Sequence, residues 1–230
     1  VLNLSVLDLP GLRARRFSVA LDCVNGAGGA IMTQLLEGLG CEVFGINMEA
    51  HGRFSHDPEP TAENLSQLGE AVKASGAEFG FAVDPDVDRL SLVDGAGVPL
   101  GEDLTLALAS AVVLRRNPGV VVTNLSTSQV VEDVARVHDG SVIRAPVGEI
   151  NVARKMQKEG AVVGGEGNGG IILPDVHYTR DAPLGAALIL QHLLDEGVDL
   201  RAAAARWPQY FIQKKKVTFP REALSRAYGF

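Results

Sequence analysis

Twice along this chain, short apolar and β-branched runs alternate with helical stretches, a pattern that points to layered α/β folds. In the first half the strands are Phe17–Cys23, Cys41–Ile46, Phe79–Val83 and Leu90–Val93. Between them lie a helix from Ala30 to Leu39, closed by Gly40, and a helix capped by Thr61 with Leu65, Leu68 and Val72 on one face. In the second half, helix Glu102–Arg116 precedes strand Val120–Thr123, then a helix carrying Val130, Val131, Val134 and Val137. Val142-Ile143 and Ala161–Val163 are further strands, separated by a helix that starts at Val147-Gly148-Glu149, and Ile171–Leu173 returns. Asp181 and Asp199 cap the last two helices. The expected fold is two consecutive three-layer α/β domains, residues 1–100 and 101–212, each a mostly parallel (mixed) sheet flanked by helices. Residues 1–16 read as a leading linker, and residues 213–230 as the start of a linker toward a further domain.

Charge narrows the function classes. The net charge is −7 and no long Lys/Arg block occurs, so the electrostatic footprint of a nucleic-acid binder is missing. The longest apolar helical run, Leu104 to Leu114, is too short to span a bilayer, and no charged-then-apolar leader opens the chain. Cys23 and Cys41 have no metal-ligand spacing and fall in apolar runs, as small buried hydrophobes do. These features suit a cytoplasmic protein with neither nucleic acid nor membrane as partner.

The densest chemistry lies at Asp84-Pro85-Asp86-Val87-Asp88-Arg89, between two apolar runs. Three carboxylates at alternate positions repel one another unless a cation sits among them, and a hard divalent metal with oxygen ligands resolves the conflict. A solvated acidic turn, which Pro85 would suit, is the plainer alternative. A calcium EF-hand loop needs Gly at its sixth position and Glu at its twelfth; Arg89 and Gly95 stand there. An aspartyl-phosphate phosphatase with Asp84 as nucleophile fits the apolar strand and Asp-x-Asp, although such a strand usually opens its fold. Arg89 suits both a counter-ion and a phosphate ligand.

Two glycine clusters follow strands. Gly26-x-Gly28-Gly29 places Ile31 where a dinucleotide fingerprint needs its third glycine, so a tight strand-to-helix turn is the better account. Five glycines among the seven residues Gly164–Gly170 leave only Glu166 and Asn168 with functional side chains. A carboxylate and an amide beside bare backbone suit a sugar or polyol; a wide turn is the alternative.

In order along the chain, Asp22-Cys23-Val24-Asn25-Gly26-Ala27-Gly28-Gly29, Asp84–Arg89, Pro146-Val147-Gly148-Glu149 and Gly165-Glu166-Gly167-Asn168-Gly169 resemble the motifs of the α-D-phosphohexomutases. The resemblance runs from about residue 12 to 212 and corresponds to the second and third of that family's four domains. It implies that Asp84, Asp86 and Asp88 bind Mg²⁺ beside a phosphoserine, with Arg89 in the same loop. It implies that Gly148, Glu149, Glu166 and Asn168 face the sugar of a hexose phosphate substrate. It further implies interconversion of hexose 1-phosphate and hexose 6-phosphate, with a hexose 1,6-bisphosphate as intermediate and activator. The family's catalytic serine belongs to the first domain and its phosphate-gripping loop to the fourth. No Ser-His-Asn-Pro segment occurs in these 230 residues, so no catalytic residue is assigned within them and the chain alone is expected to be inactive. Pro85 stands where the family usually has Gly, Glu149 where some members have His or Asp, and Asn168-Gly169-Gly170 where Ser-Gly-His is usual. These departures lean toward the phosphoglucosamine- or phosphomannomutase side. A non-catalytic α/β binding module is the remaining alternative.

Overall fold

The computed structural model describes residues 1–210. The linker expected from residue 213 lies outside them. The first unit comprises α1 (Leu9–Arg15), β1 (Ser18–Asp22), α2 (Gly28–Gly38), β2 (Glu42–Ile46), a 3₁₀ turn (Ala62–Asn64), α3 (Ser66–Ser75), β3 (Phe79–Val83) and β4 (Leu90–Val93). The second comprises α4 (Asp103–Arg116), β5 (Val120–Asn124), α5 (Val130–Val137), β6 (Ser141–Ala145), α6 (Glu149–Glu159), β7 (Val163–Glu166), β8 (Gly170–Ile172), α7 (Ala182–Glu196) and α8 (Leu200–Ala205).

The two sheets share one topology. Their strand orders are β2-β1-β3-β4 and β6-β5-β7-β8, each with three parallel strands and an antiparallel last one. The final hairpin of each sheet therefore carries its candidate loop: residues 84–89 between β3 and β4, residues 167–169 between β7 and β8. Sheets with parallel strands need cover on both faces, and the period-2 pattern supplies it. Val19, Leu21, Phe79 and Phe81 face one core of the first sheet, while Ala20, Ala82 and Val93 face α3 through Leu68 and Val72. In the second sheet Val121 and Val163 face α5, while Val122 and Ile172 meet Val152 and Met156 of α6.

Helices α4 and α7 are common to both cores. Leu104 and Leu108 of α4 pack with the first sheet's core, Leu106 and Val112 with the second's. On α7, Ala186, Ile189 and Leu190 serve the first, Leu184 and Leu188 the second. A helix apolar on every side is one buried on every side, and all of Leu104–Leu114 is buried. No helix among the described residues is long and apolar enough to cross a membrane.

Three local expectations are corrected. The leading linker contains α1, whose N-terminus is capped by Asp8 accepting from the Gly11 N–H at 3.0 Å, with Pro10 in the first turn. Thr61 precedes the 3₁₀ turn rather than α3, which starts at Ser66, and its side chain makes no cap bond. The glycine cluster at Gly26, expected only as a tight strand-to-helix turn, also makes room for the Pro85 backbone, as described next.

Candidate active site at the ends of two sheets

The candidate side chains gather where β1, β3, β5, β6 and β7 end, the side of a parallel sheet where α/β proteins bind ligands. Asp84 leaves β3 fully buried, and the chain turns tightly after it: the Val87 N–H donates to the Asp84 carbonyl at 3.1 Å. Val87 adopts φ +65°, a strained value for a β-branched residue, and such strain concentrates at functional sites. The turn folds the following backbone onto the Asp84 carboxylate. Its Oδ1 accepts from the N–H groups of Asp88 and Arg89, both at 3.0 Å, and its Oδ2 from Arg89 Nε at 2.7 Å. Burial raises the Asp84 pKa, but the bonds from Arg89 and Asp88 and the guanidinium charge outweigh it and hold the carboxyl below its ordinary value. Arg89 also reaches Glu59 at 3.4 Å.

Asp86 is exposed at the loop tip, and one carboxylate oxygen from each of Asp84, Asp86 and Asp88 lies within 4.8 Å of the others. The convergence comes from a turn, not from an extended strand. Burial raises the Asp88 pKa to about 7, with the Asp84 hydrogen bond and charge adding, the Arg180 charge opposing, and Asp86 adding further. Among the described residues, Asp88 Oδ1 is buried with no hydrogen-bond partner. Three hard oxygen donors, beside an Asp88 oxygen that has no hydrogen bond and only a 3.6 Å ion pair with Arg89 Nε, form a set suited to a divalent cation.

The first glycine cluster supports this loop from below. The Ala27 N–H donates to the Pro85 carbonyl at 2.8 Å, and a Cβ at Gly26 would lie 2.5 Å from the Pro85 Cα. Glycine is required there because two backbones touch. Asp22, buried at the end of β1, accepts from the Val24 N–H at 2.9 Å and from Asn47 Nδ2 at 3.1 Å, and pairs with His56 at 3.0 Å.

In the second unit Glu166 ends β7, buried, with both oxygens occupied. Oε1 accepts from Asn124 Nδ2 at 2.7 Å and from the Gly148 N–H at 3.1 Å; Oε2 accepts from Arg180 Nη1 at 2.8 Å. The Thr127 hydroxyl donates to Asn124 Oδ1 and accepts from the Gly167 N–H, both at 2.9 Å. Glu149, first residue of α6, accepts from the Arg180 N–H at 2.8 Å. Asn168 is half-buried and, among the described residues, its side chain makes only a long contact with the Gly170 N–H, at 3.4 Å.

Arg180 links the acidic loop to the glycine loop. Arg180 donates through Nη2 to Asp88 Oδ2 at 2.5 Å while Nη1 holds Glu166, and its Nε lies 3.7 Å from Glu149. The structure thus joins Asp84, Asp86, Asp88 and Arg89 to Gly148, Glu149 and Glu166, with Asn168 at the margin. Sequence reading missed Arg180, Asn124, Thr127 and His56. Arg180 stands in a loop with no motif around it; its one signal is the Asp181 helix cap beside it.

The free thiols of Cys23 and Cys41 are both buried, and burial, with a nearby carboxylate each, pushes them up to about 12. They are packing groups, not nucleophiles.

Comparison with known proteins places the chain in a family. Residues 4–97 match the family model described as phosphoglucomutase/phosphomannomutase, alpha/beta/alpha domain II, and residues 101–210 match domain III of the same family. The phosphoglucomutase/phosphomannomutase of Thermococcus kodakarensis is 37% identical over 212 residues, covering 91% of this chain and 46% of that protein. The phosphoglucosamine/phosphogalactosamine mutase of Sulfurisphaera tokodaii is 32% identical over 218 residues, covering 93% of this chain and 48% of that protein. The crystal structure of a phosphoglucomutase/phosphomannomutase family protein from Burkholderia thailandensis superposes with a TM-score of 0.78 at 29% identity, over 87% of this chain and 46% of that one. The chain spans about half the length of the curated relatives it matches. With both middle domains matched in order across nearly all of its length, the chain belongs to the phosphoglucomutase/phosphomannomutase family.

Proposed function

We propose that this chain forms the middle half of a phosphohexomutase active site, in an enzyme that interconverts hexose 1-phosphate and hexose 6-phosphate through a phosphoserine and a hexose 1,6-bisphosphate. The observation that carries the reading is the joining of a three-carboxylate loop to a Glu-bearing glycine loop through the single guanidinium of Arg180. In this reading Asp84, Asp86 and Asp88 hold Mg²⁺. When bound, the ion offsets negative charge on the phosphoryl group in transfer. Arg89, aligned by Asp84 and Glu59, has further N–H groups for phosphate oxygens. Glu166 is held in place by Asn124 and Gly148 and, with Glu149 and Asn168, faces the hydroxyls of the sugar. The bisphosphate also serves as activator. A first and a fourth domain supply the phosphoserine and the phosphate-gripping loop, and the enzyme works in the cytoplasm.

Calorimetric titration of glucose 6-phosphate, mannose 6-phosphate and glucosamine 6-phosphate, with and without Mg²⁺, tests this. Binding that strengthens with Mg²⁺ and weakens roughly tenfold in Asn168→Ala, the worth of one hydrogen bond, is expected. A coupled assay should detect no mutase turnover by the 230 residues alone. Turnover in that assay, or beryllofluoride trapped on Asp84 as in an aspartyl-phosphate phosphatase, contradicts the proposal.

A further inference from the structure

We propose that Arg180 is an internal competitor for the divalent cation at Asp88, so that cation binding releases its guanidinium toward an anionic oxygen of the substrate. The inference rests on the reading of residues 84–88 as a cation site. Arg180 is fixed from several sides. Its backbone N–H is held by Glu149, and its stem crosses Gly170 so closely that a Cβ there would lie 2.2 Å from Arg180 Cδ. From that position the guanidinium reaches across to the other sheet's loop and occupies Asp88 Oδ2.

A carboxylate that donates its charge to a dication is a poorer acceptor for a guanidinium, and a guanidinium on the same carboxylate repels the arriving dication. The two cations therefore compete for Asp88. Two of the buried atoms without a hydrogen bond among the described residues belong to this pair: Asp88 Oδ1, 3.6 Å from Arg89 Nε, and Arg180 Nε, 3.7 Å from Glu149. Once Asp88 is taken, Nη2 is released and Nε keeps only its 3.7 Å ion pair with Glu149, while Nη1 stays on Glu166. Two adjacent guanidinium N–H groups match two oxygens of a phosphate. Cation and phosphorylated ligand are thereby coupled through one side chain that joins the two sheets.

Calorimetric titration of Mn²⁺ into the 230-residue chain and its Arg180→Gln, Arg180→Lys and Asp86→Ala variants tests the competition. Removing the competing charge should tighten Mn²⁺ binding by roughly three- to tenfold in Arg180→Gln, and Arg180→Lys should stay within about twofold of the parent chain. Arg180→Met, which keeps the stem across Gly170, serves if the Gln variant fails to fold, with the same expectation. A purely structural role predicts instead that Gln and Lys weaken binding alike. Equal or weaker binding in the charge-removed variants, with binding lost in Asp86→Ala, overturns the competition and leaves the cation site standing. Mn²⁺ binding that survives Asp86→Ala, or is absent from every chain, counts against the cation site itself and the competition with it. Binding seen only after Arg180 is replaced supports both.

Discussion

The backbone N–H of Leu90 donates to the carbonyl of Gly169 at 3.1 Å, so the residue that follows the acidic loop is bonded directly to the glycine loop of the other sheet. The contact also runs through sterics. Gly169 has φ +90°, and a Cβ on it would lie 2.4 Å from the Leu90 carbonyl oxygen.

Gly169→Ala should therefore destabilise the chain by roughly 2–4 kcal/mol, combining left-handed strain with a backbone clash. Urea denaturation measures this. A cost below about 0.5 kcal/mol, the range of an ordinary surface substitution, contradicts the close approach.

The Thr127 hydroxyl both donates to Asn124 and accepts from Gly167, holding the glycine loop to the end of β5. Thr127→Val keeps the shape and removes these two bonds and the one accepted from the Thr123 hydroxyl at 2.7 Å, leaving the Gly167 N–H and one Asn124 acceptor position unpaired. The expected loss is about 1–3 kcal/mol by denaturation, with weaker hexose phosphate binding as the loop loosens. Unchanged stability would show that the hydroxyl does not hold the loop.

His192 lies buried on α7 with both ring nitrogens unpartnered among the described residues. Burial, assisted by the charge of Arg115, lowers its pKa to about 4. The unfolded chain takes up a proton near pH 6.5 that the folded chain refuses until about pH 4, so this residue reduces stability as pH falls through that window. His192→Leu should flatten the pH 4–6.5 limb of the stability profile and raise stability at pH 7. An unchanged acid limb in thermal melts across that range contradicts the assignment.

How much of this was legible in the sequence follows from the range of each interaction. The alternation of β-branched runs and amphipathic helices is local, and it foretold both sheets and their mixed strand directions. The three aspartates of the acidic loop are also local, and their oxygens do converge, although through a strained turn at Val87 that no residue preference announces. Arg180 acts on Asp88, 92 residues away, and a lone arginine carries no trace of its partner in the sequence. Helix α1 was missed because seven residues are too few to show a periodicity, although Asp8 and Pro10 mark its start. The glycines near Gly26 looked like a simple turn because their reason, the Pro85 backbone, lies in a different loop.

The central claim is that the acidic loop and the glycine loop form one site. Mn²⁺ broadening of amide NMR signals tests it most directly, since a paramagnetic ion at Asp84, Asp86 and Asp88 reports on its surroundings in both units. At substoichiometric Mn²⁺, selective broadening of Asp86–Leu90 together with Gly148 and Gly167–Gly169 is predicted, and it should vanish in Asp86→Ala. Broadening confined to residues 84–90, or broadening that persists in Asp86→Ala, would contradict the account.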